Sequence, residues 1–409
     1  MRTTERPRGP ASTDRADLGQ RLPENPLLSP RDIPPSQPAL EVVSVFNAGT
    51  AVLEDEAILL LRVAERPRSD IELPPGAFTL DFTGPYPVER PLPHTYSMRD
   101  VIGMSFMDAS IDPPRVRVAY IPKDLPGLDL SDPRGIRYRN STGPLGGNEG
   151  YQDFLAQISH LRIARSRDGV HFTVDADVFL GPDNALEEYG VEDPRITFID
   201  GAYHITYVAA SRWGIVTSLA VTRDFRTYER RGVMYLPDHK DVVIFPEKIG
   251  GRYVSLTRPM PQSFGRIFGI WIAFSDDRVS WGGHMPLAMP RSGMWDELRT
   301  GASAVPFRTE RGWLELYHGV DRDTTYAMGG VLMDLADPRN VIARSATPIL
   351  RPTELYETTG LFNHTVFSCG VIPLDQRWER IRMYYGAADS VVAAADFDVR
   401  EILDSLQPC

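Results

Sequence analysis

Cysteine is nearly absent from this chain: Cys369 and Cys409 are the only two in 409 residues. So few cannot build a disulfide framework, and no zinc-ligand spacing occurs. Long apolar runs are missing too. No stretch of about 18 apolar residues is present to span a membrane. The N-terminal MRTTERPRGPASTDRADLGQ has no apolar core of the signal-peptide kind. Positive charge is in deficit, with 44 Lys and Arg against 55 Asp and Glu, for a net charge of −11. A field of that sign repels nucleic acid and anionic membrane, so neither is expected as a partner. It repels phosphate as well, so any phosphate site needs its own basic cluster. The hydrophobic fraction, 42%, is in the globular range. The expectation is a cytoplasmic protein.

Helical periodicity is also scarce. The best helical candidates are GYQDFLAQI and the tail DFDVREILDSL. Elsewhere short β-branched or aromatic bursts dominate, such as VVSVF, AILLLRVA, HITYVA, DVVIF and RIRMYYGA, punctuated by glycine and proline. This is an all-β pattern. Four segments share one plan, an apolar strand followed by an Asp-bearing turn: Asp168, Asp224, Asp277 and Asp337, with a fifth copy near Asp396. A period of about fifty residues with several strands per unit is that of a propeller blade, and five copies predict a five-bladed β-propeller. Residues 1–24, polar and charged, are expected to be a disordered leader, and 25–409 the propeller domain. The Pro-, Arg- and Gly-rich region from about 81 to 150 fits the repeat poorly. It reads as a loop-rich insertion in the first blade.

A propeller gathers its loops at one end of a channel, so polar residues at strand mouths are the site candidates. Asn47 and Arg62 lie in or beside the first apolar strands. In GVEDPRIT, Asp193 precedes a proline, which biases its backbone toward an extended conformation; a salt-bridged turn with Glu192 and Arg195 is the plainer reading. Lys240 and Arg258 flank one hairpin and Arg299 opens a later strand. Three basic residues at three loop positions in an acidic chain suit an anion, and arginine's planar fork suits phosphate. His318 and Asp321 in ELYHGVD, and Asp389 in MYYGAADS, complete the set. A histidine between tyrosine and glycine in a strand is more often a structural hydrogen-bonder than a catalyst.

The motifs NPLLSPRDIPP, VVSVFNAG, GVEDPRIT, HKDVVIFPEKIGGRYVSLTRP, RTGASAVPFRTERGWLELYHGVD and MYYGAADSVVAAA, in this order, closely resemble the β-mannoside phosphorylases of glycoside hydrolase family 130. The resemblance runs from about residue 25 to the end, apart from the insertion, and implies a five-bladed propeller. It implies that Asp193 is the general acid and that Asn47, Arg62 and Asp389 hold the mannosyl unit, with His318 added to the substrate-binding set. It implies that Lys240, Arg258 and Arg299 bind phosphate. Lys240 stands where the family usually has arginine, and Arg299 where it usually has lysine. The expected reaction is inverting phosphorolysis of a β-mannoside to α-mannose 1-phosphate and a shortened acceptor. Phosphate is the co-substrate, and no metal or organic cofactor is implied. A homo-oligomer is compatible with the sequence. Two other readings compete: an inverting β-mannosidase, with Glu247 as the first base to test, and a sugar-binding propeller without turnover.

Overall fold

The computed structural model describes residues 17–83, 87–132, 135–140, 150–261 and 265–409, with only the backbone described at 140 and 150–153. Five antiparallel sheets carry the fold. Sheet I holds Leu40–Leu53, Glu56–Pro67, Ile158–Ser166 and Thr173–Val174, adjacent in that order. Sheet II holds Val191–Ile199, Ala202–Ser211, Gly214–Thr222 and Glu229–Tyr235. Sheet III holds His239–Ile244, Tyr253–Pro259, Ile270–Ser275 and Gly282–Ala288. Sheet IV holds Arg299–Ala302, Gly312–Val320, Tyr326–Met333 and Val341–Ser345, joined by the chain's last strand, Leu406–Pro408. Sheet V holds Val366–Pro373, Arg380–Ala387 and Val391–Asp398, and takes its fourth strand, Gln20–Arg21, from the other end of the chain.

The inner strands read as nearly continuous apolar runs because both of their faces are covered, whereas outer strands such as Glu229–Tyr235 and Gly282–Ala288 are largely exposed. Residues 58–61 are an example. Ile58 and Leu60 point into a core shared with sheet II, while Leu59 and Leu61 point into one shared with sheet V. This is the two-residue period of a strand put to use on both sides. Further cores join sheet II to III around Met234, Val242 and Ile244, and III to IV around Val254, Ile272 and Trp313. The largest joins IV to V around Leu316, Met328 and Met383. The five cores therefore link the sheets in cyclic order, and no single sheet closes on itself.

The Asp turns recur between the third and fourth strands. Asp168 accepts from the backbone N–H groups of Val170 and His171 (both 2.8 Å), Asp224 from Arg226 and Thr227, and Asp277 from Val279 and Ser280. In sheet IV the corresponding bonds are made by Asp334 rather than Asp337. In sheet V, Asp396 is a strand residue paired with Arg382 at 2.7 Å, and Asp398 caps the following helix, Val399–Ser405. The tail is thus helical as expected. GYQDFLAQI is not: residues 150–155 form a strand paired with 135–140, and Phe154 packs in an apolar core.

Two boundaries shift. Of the leader expected over 1–24, residues 1–16 lie outside the described residues. Residues 17–24 belong to the fold: Gln20–Arg21 completes sheet V, and Arg21 pairs with buried Glu357 at 2.7 Å. The insertion is longer than 81–150, because it separates strands Glu56–Pro67 and Ile158–Ser166, which pair directly. It contains hairpins Phe78–Asp81/Val88–Pro91 and Val101–Asp108/Arg115–Pro122, and a three-stranded sheet of Leu128–Asp129, Gly135–Asn140 and Gly150–Leu155.

Candidate active site

The first strands of sheets I, II and III each break register at corresponding places, between Phe46 and Gly49, Glu192 and Arg195, and Lys240 and Val243. At each break a polar residue has a left-handed backbone: Asn47 (φ 47°), Asp193 (φ 48°) and Asp241 (φ 55°). A bulge of this kind re-aims a side chain, and Asn and Asp tolerate the left-handed region better than other residues with a Cβ. Asp193 is therefore not extended, as its proline neighbour suggested. The bulge overrides that bias, and Arg195 Nη1 holds the Asp193 carbonyl at 3.0 Å. Strands I and II approach closely here. A Cβ on Gly49 would lie 2.6 Å from the Pro194 carbonyl oxygen, so only glycine fits.

The bulges open onto a cavity of about 840 Å³, whose lining includes all eight expected residues: Asn47, Arg62, Asp193, Lys240, Arg258, Arg299, His318 and Asp389. Asp193 is buried. Its Oδ1 accepts from Asn47 Nδ2 and Arg62 Nη1, both at 2.9 Å. Burial pushes its pKa up, but Arg62, Arg195, Lys240 and the Asn47 N–H outweigh burial and hold it below 3.8. Arg62 also binds Glu192 at 2.7 Å and lies 4.5 Å over the Phe46 ring. Lys240 Nζ is 3.9 Å from Glu192. Lys240 and Arg258 are cross-strand partners in sheet III, so their side chains share a face. Arg299, at the start of sheet IV, donates to the Tyr326 hydroxyl at 3.3 Å.

Sequence reasoning missed Asp241, and named Arg195 only as a partner in a salt-bridged turn, whereas its ion pair is with Asp241. Asp241 is 1% exposed, with Arg195 Nη2 at 3.0 Å from one oxygen and Arg258 Nε at 2.6 Å from the other. Burial opposes its charge, yet Arg258, His318 and Arg195 depress its pKa far below 3.8. The signal available was an acid directly after Lys240; nothing in the sequence said that a bulge would turn it inward. His318 is fully buried. Burial and then the nearby arginines, opposed by Asp241, push it down to about 3, so the ring is neutral. Its Nδ1 meets Ser303 Oγ at 3.0 Å, and Phe367 and Tyr326 flank it. Asp321 is a turn residue whose carboxylate accepts from the backbone of Asp323 and Thr325.

Glu247 is not at the site. It lies on the surface, paired with Arg308 at 2.9 Å, because PEKIGG forms the exposed turn of a hairpin. The insertion, by contrast, reaches the cavity through Asp129, Arg137 and Gln157. Among the described residues, no group of three His, Cys, Asp or Glu is placed to hold a metal, and no helix is long and apolar enough to cross a membrane.

A family profile for glycoside hydrolase family 130, described as beta-1,4-mannooligosaccharide phosphorylase, matches residues 150–408. The beta-1,2-mannobiose phosphorylase of Listeria innocua is 39% identical over 387 residues, 95% of this chain and 98% of its own length. The 1,2-beta-oligomannan phosphorylase of Thermoanaerobacter sp. is 38% identical over 248 residues, 60% of this chain and 80% of its own length. Among solved structures, the Listeria innocua enzyme in complex with beta-1,2-mannobiose matches with a TM-score of 0.81 at 38% identity, covering 95% of this chain and 98% of that one.

Proposed function

The chain belongs to glycoside hydrolase family 130, and from that premise we propose that it cleaves β-1,2-linked mannobiose by inverting phosphorolysis, giving α-mannose 1-phosphate and mannose. One observation carries the reading: the buried carboxylate of Asp193, aimed by Asn47 and Arg62, lines the same cavity as Lys240, Arg258 and Arg299. We read the five cyclically packed sheets, from strand Gln20–Arg21 to strand Leu406–Pro408, as the blades of a propeller, with the cavity at one mouth of its channel. The product is a charged sugar phosphate that a membrane retains, which favours a cytoplasmic setting.

An inverting hydrolase needs a second carboxylate to activate water. The carboxylates nearest Asp193 are already committed, Glu192 to Arg62 and Asp241 to Arg195 and Arg258. Phosphate is itself an anionic nucleophile and needs a cradle rather than a base. Lys240, Arg258 and Arg299 form that cradle and present phosphate to the anomeric carbon. Asn47, Arg62, His318 and Asp389 hold the mannosyl unit. Asp193 supplies the proton for the departing oxygen, relayed through the sugar's 3-hydroxyl in line with the family resemblance. In the unliganded protein Asp193 is ionised. Bound phosphate cancels part of the cationic field around it and the sugar removes its remaining water, and both changes favour the protonated form. No resident cofactor enters this scheme.

The linkage assignment rests on two relatives, matching 95% and 60% of the chain, both named for β-1,2 substrates. The test is a substrate panel with phosphate in excess. β-1,2-Mannobiose is expected to be consumed with a kcat/KM at least ~10-fold above that for β-1,4-mannobiose, the scale of a site built around one hydroxyl position. The reverse order would assign the β-1,4 linkage.

A further inference from the structure

The insertion is the part of the chain for which the phosphorolysis scheme has so far given no role. It is a folded unit. Its core, built on Phe82, Met104, Phe106, Ile121 and Ile136, also takes in Tyr189 and Ala210 of sheet II's border. Tyr189 N–H donates to the Ala210 carbonyl at 2.8 Å, and Met107 N–H to that of Glu188 at 2.7 Å. The insertion is therefore docked beside the strand that carries Asp193, and from there Asp129, Arg137 and Gln157 line the cavity.

In-line displacement with inversion decides what that wall faces. The nucleophile and the leaving group must lie on opposite faces of the anomeric carbon. The basic cluster comes from sheets III and IV, so phosphate approaches from there. The leaving sugar must then point away from that cluster, across the cavity. Asp193, whose proton is relayed to the departing oxygen, is on sheet II beside the insertion. Asp129 and Arg137 are cross-strand partners, an acceptor and a forked donor side by side, as hydroxyl recognition requires.

Resting on the phosphorylase reading, we infer that the insertion forms the acceptor subsite, and that Asp129 and Arg137 bind hydroxyls of the leaving sugar and set acceptor specificity. The synthetic direction isolates this role, because acceptor and mannose 1-phosphate are then separate variables. Asp129→Ala and Arg137→Ala are each expected to raise the KM for mannose as acceptor by ~10-fold, the usual loss for a hydrogen bond to a charged group. The KM for mannose 1-phosphate should stay within about twofold, which also reports an intact fold. An unchanged acceptor KM in both variants, or a parallel rise in both KM values, overturns the inference. Wild-type protein that forms no disaccharide from mannose 1-phosphate and mannose overturns the phosphorylase reading, and the inference with it.

Discussion

Asp193→Asn lowers kcat/KM for phosphorolysis by about three orders of magnitude, within the range that general acid catalysis supplies, and leaves the fold intact. Asparagine has the same shape, and its side-chain oxygen can still accept from Asn47 and Arg62. It has no proton to give. The stability cost is small because Arg62 keeps Glu192 at 2.7 Å and does not become an unpaired buried cation. Steady-state rates and thermal melts on the same preparation check both halves. A variant with a near-normal rate would remove Asp193 from the acid's role. A variant that loses both rate and fold would mean that the carboxylate is structural.

Asp241→Ala has the largest expected effect on stability. Its carboxylate lies between the guanidinium groups of Arg195 and Arg258, with His318 Nε2 at 3.5 Å. Removing one member of a buried ionic group strands the others, at a cost of about 3–5 kcal/mol. Denaturant unfolding of the variant measures this. The same carboxylate predicts a pH dependence. Its folded pKa is depressed below 3.8, so its stabilising contribution is fully present above that pH and is lost as pH falls below it. The wild-type protein should therefore lose stability more steeply than Asp241→Ala on acidification below about pH 4. Equal acid sensitivity in both would show that Asp241 contributes no net ionic stabilisation. Arg258 should also lose its aim in the variant, so the phosphate KM should rise in whatever fraction remains folded.

The all-β architecture was legible because the inner strands of the sheets, such as Ala202–Ser211 and Gly312–Val320, are buried on both faces and read as nearly unbroken apolar runs. Residues 58–61, divided between two cores, show how. Eight of the candidate residues, read as polar side chains interrupting such runs, line one cavity, and Asp321 does not. The bulges were not legible. One extra residue in a strand reverses the facing of everything beyond it, and HKDVV does not say which of Lys240 and Asp241 turns inward. Asp193's backbone was misread for the same reason: the proline rule is local, while the bulge is held by Arg195, Arg62 and Asn47. RVRVAYI reads as a strand and is one, Arg115–Pro122; the insertion's other strands were hidden by proline and arginine, and its reach toward the cavity depends on a core shared with Tyr189 and Ala210, far from most of it in sequence.

The most direct measurement is a product assay on the full-length protein with β-1,2-mannobiose, with and without inorganic phosphate, following mannose 1-phosphate and its anomeric configuration by NMR. The account predicts α-mannose 1-phosphate and mannose in equal amounts, and negligible turnover when phosphate is withheld. Free mannose as the sole product, formed at the same rate with or without phosphate, would contradict it and make the protein a hydrolase.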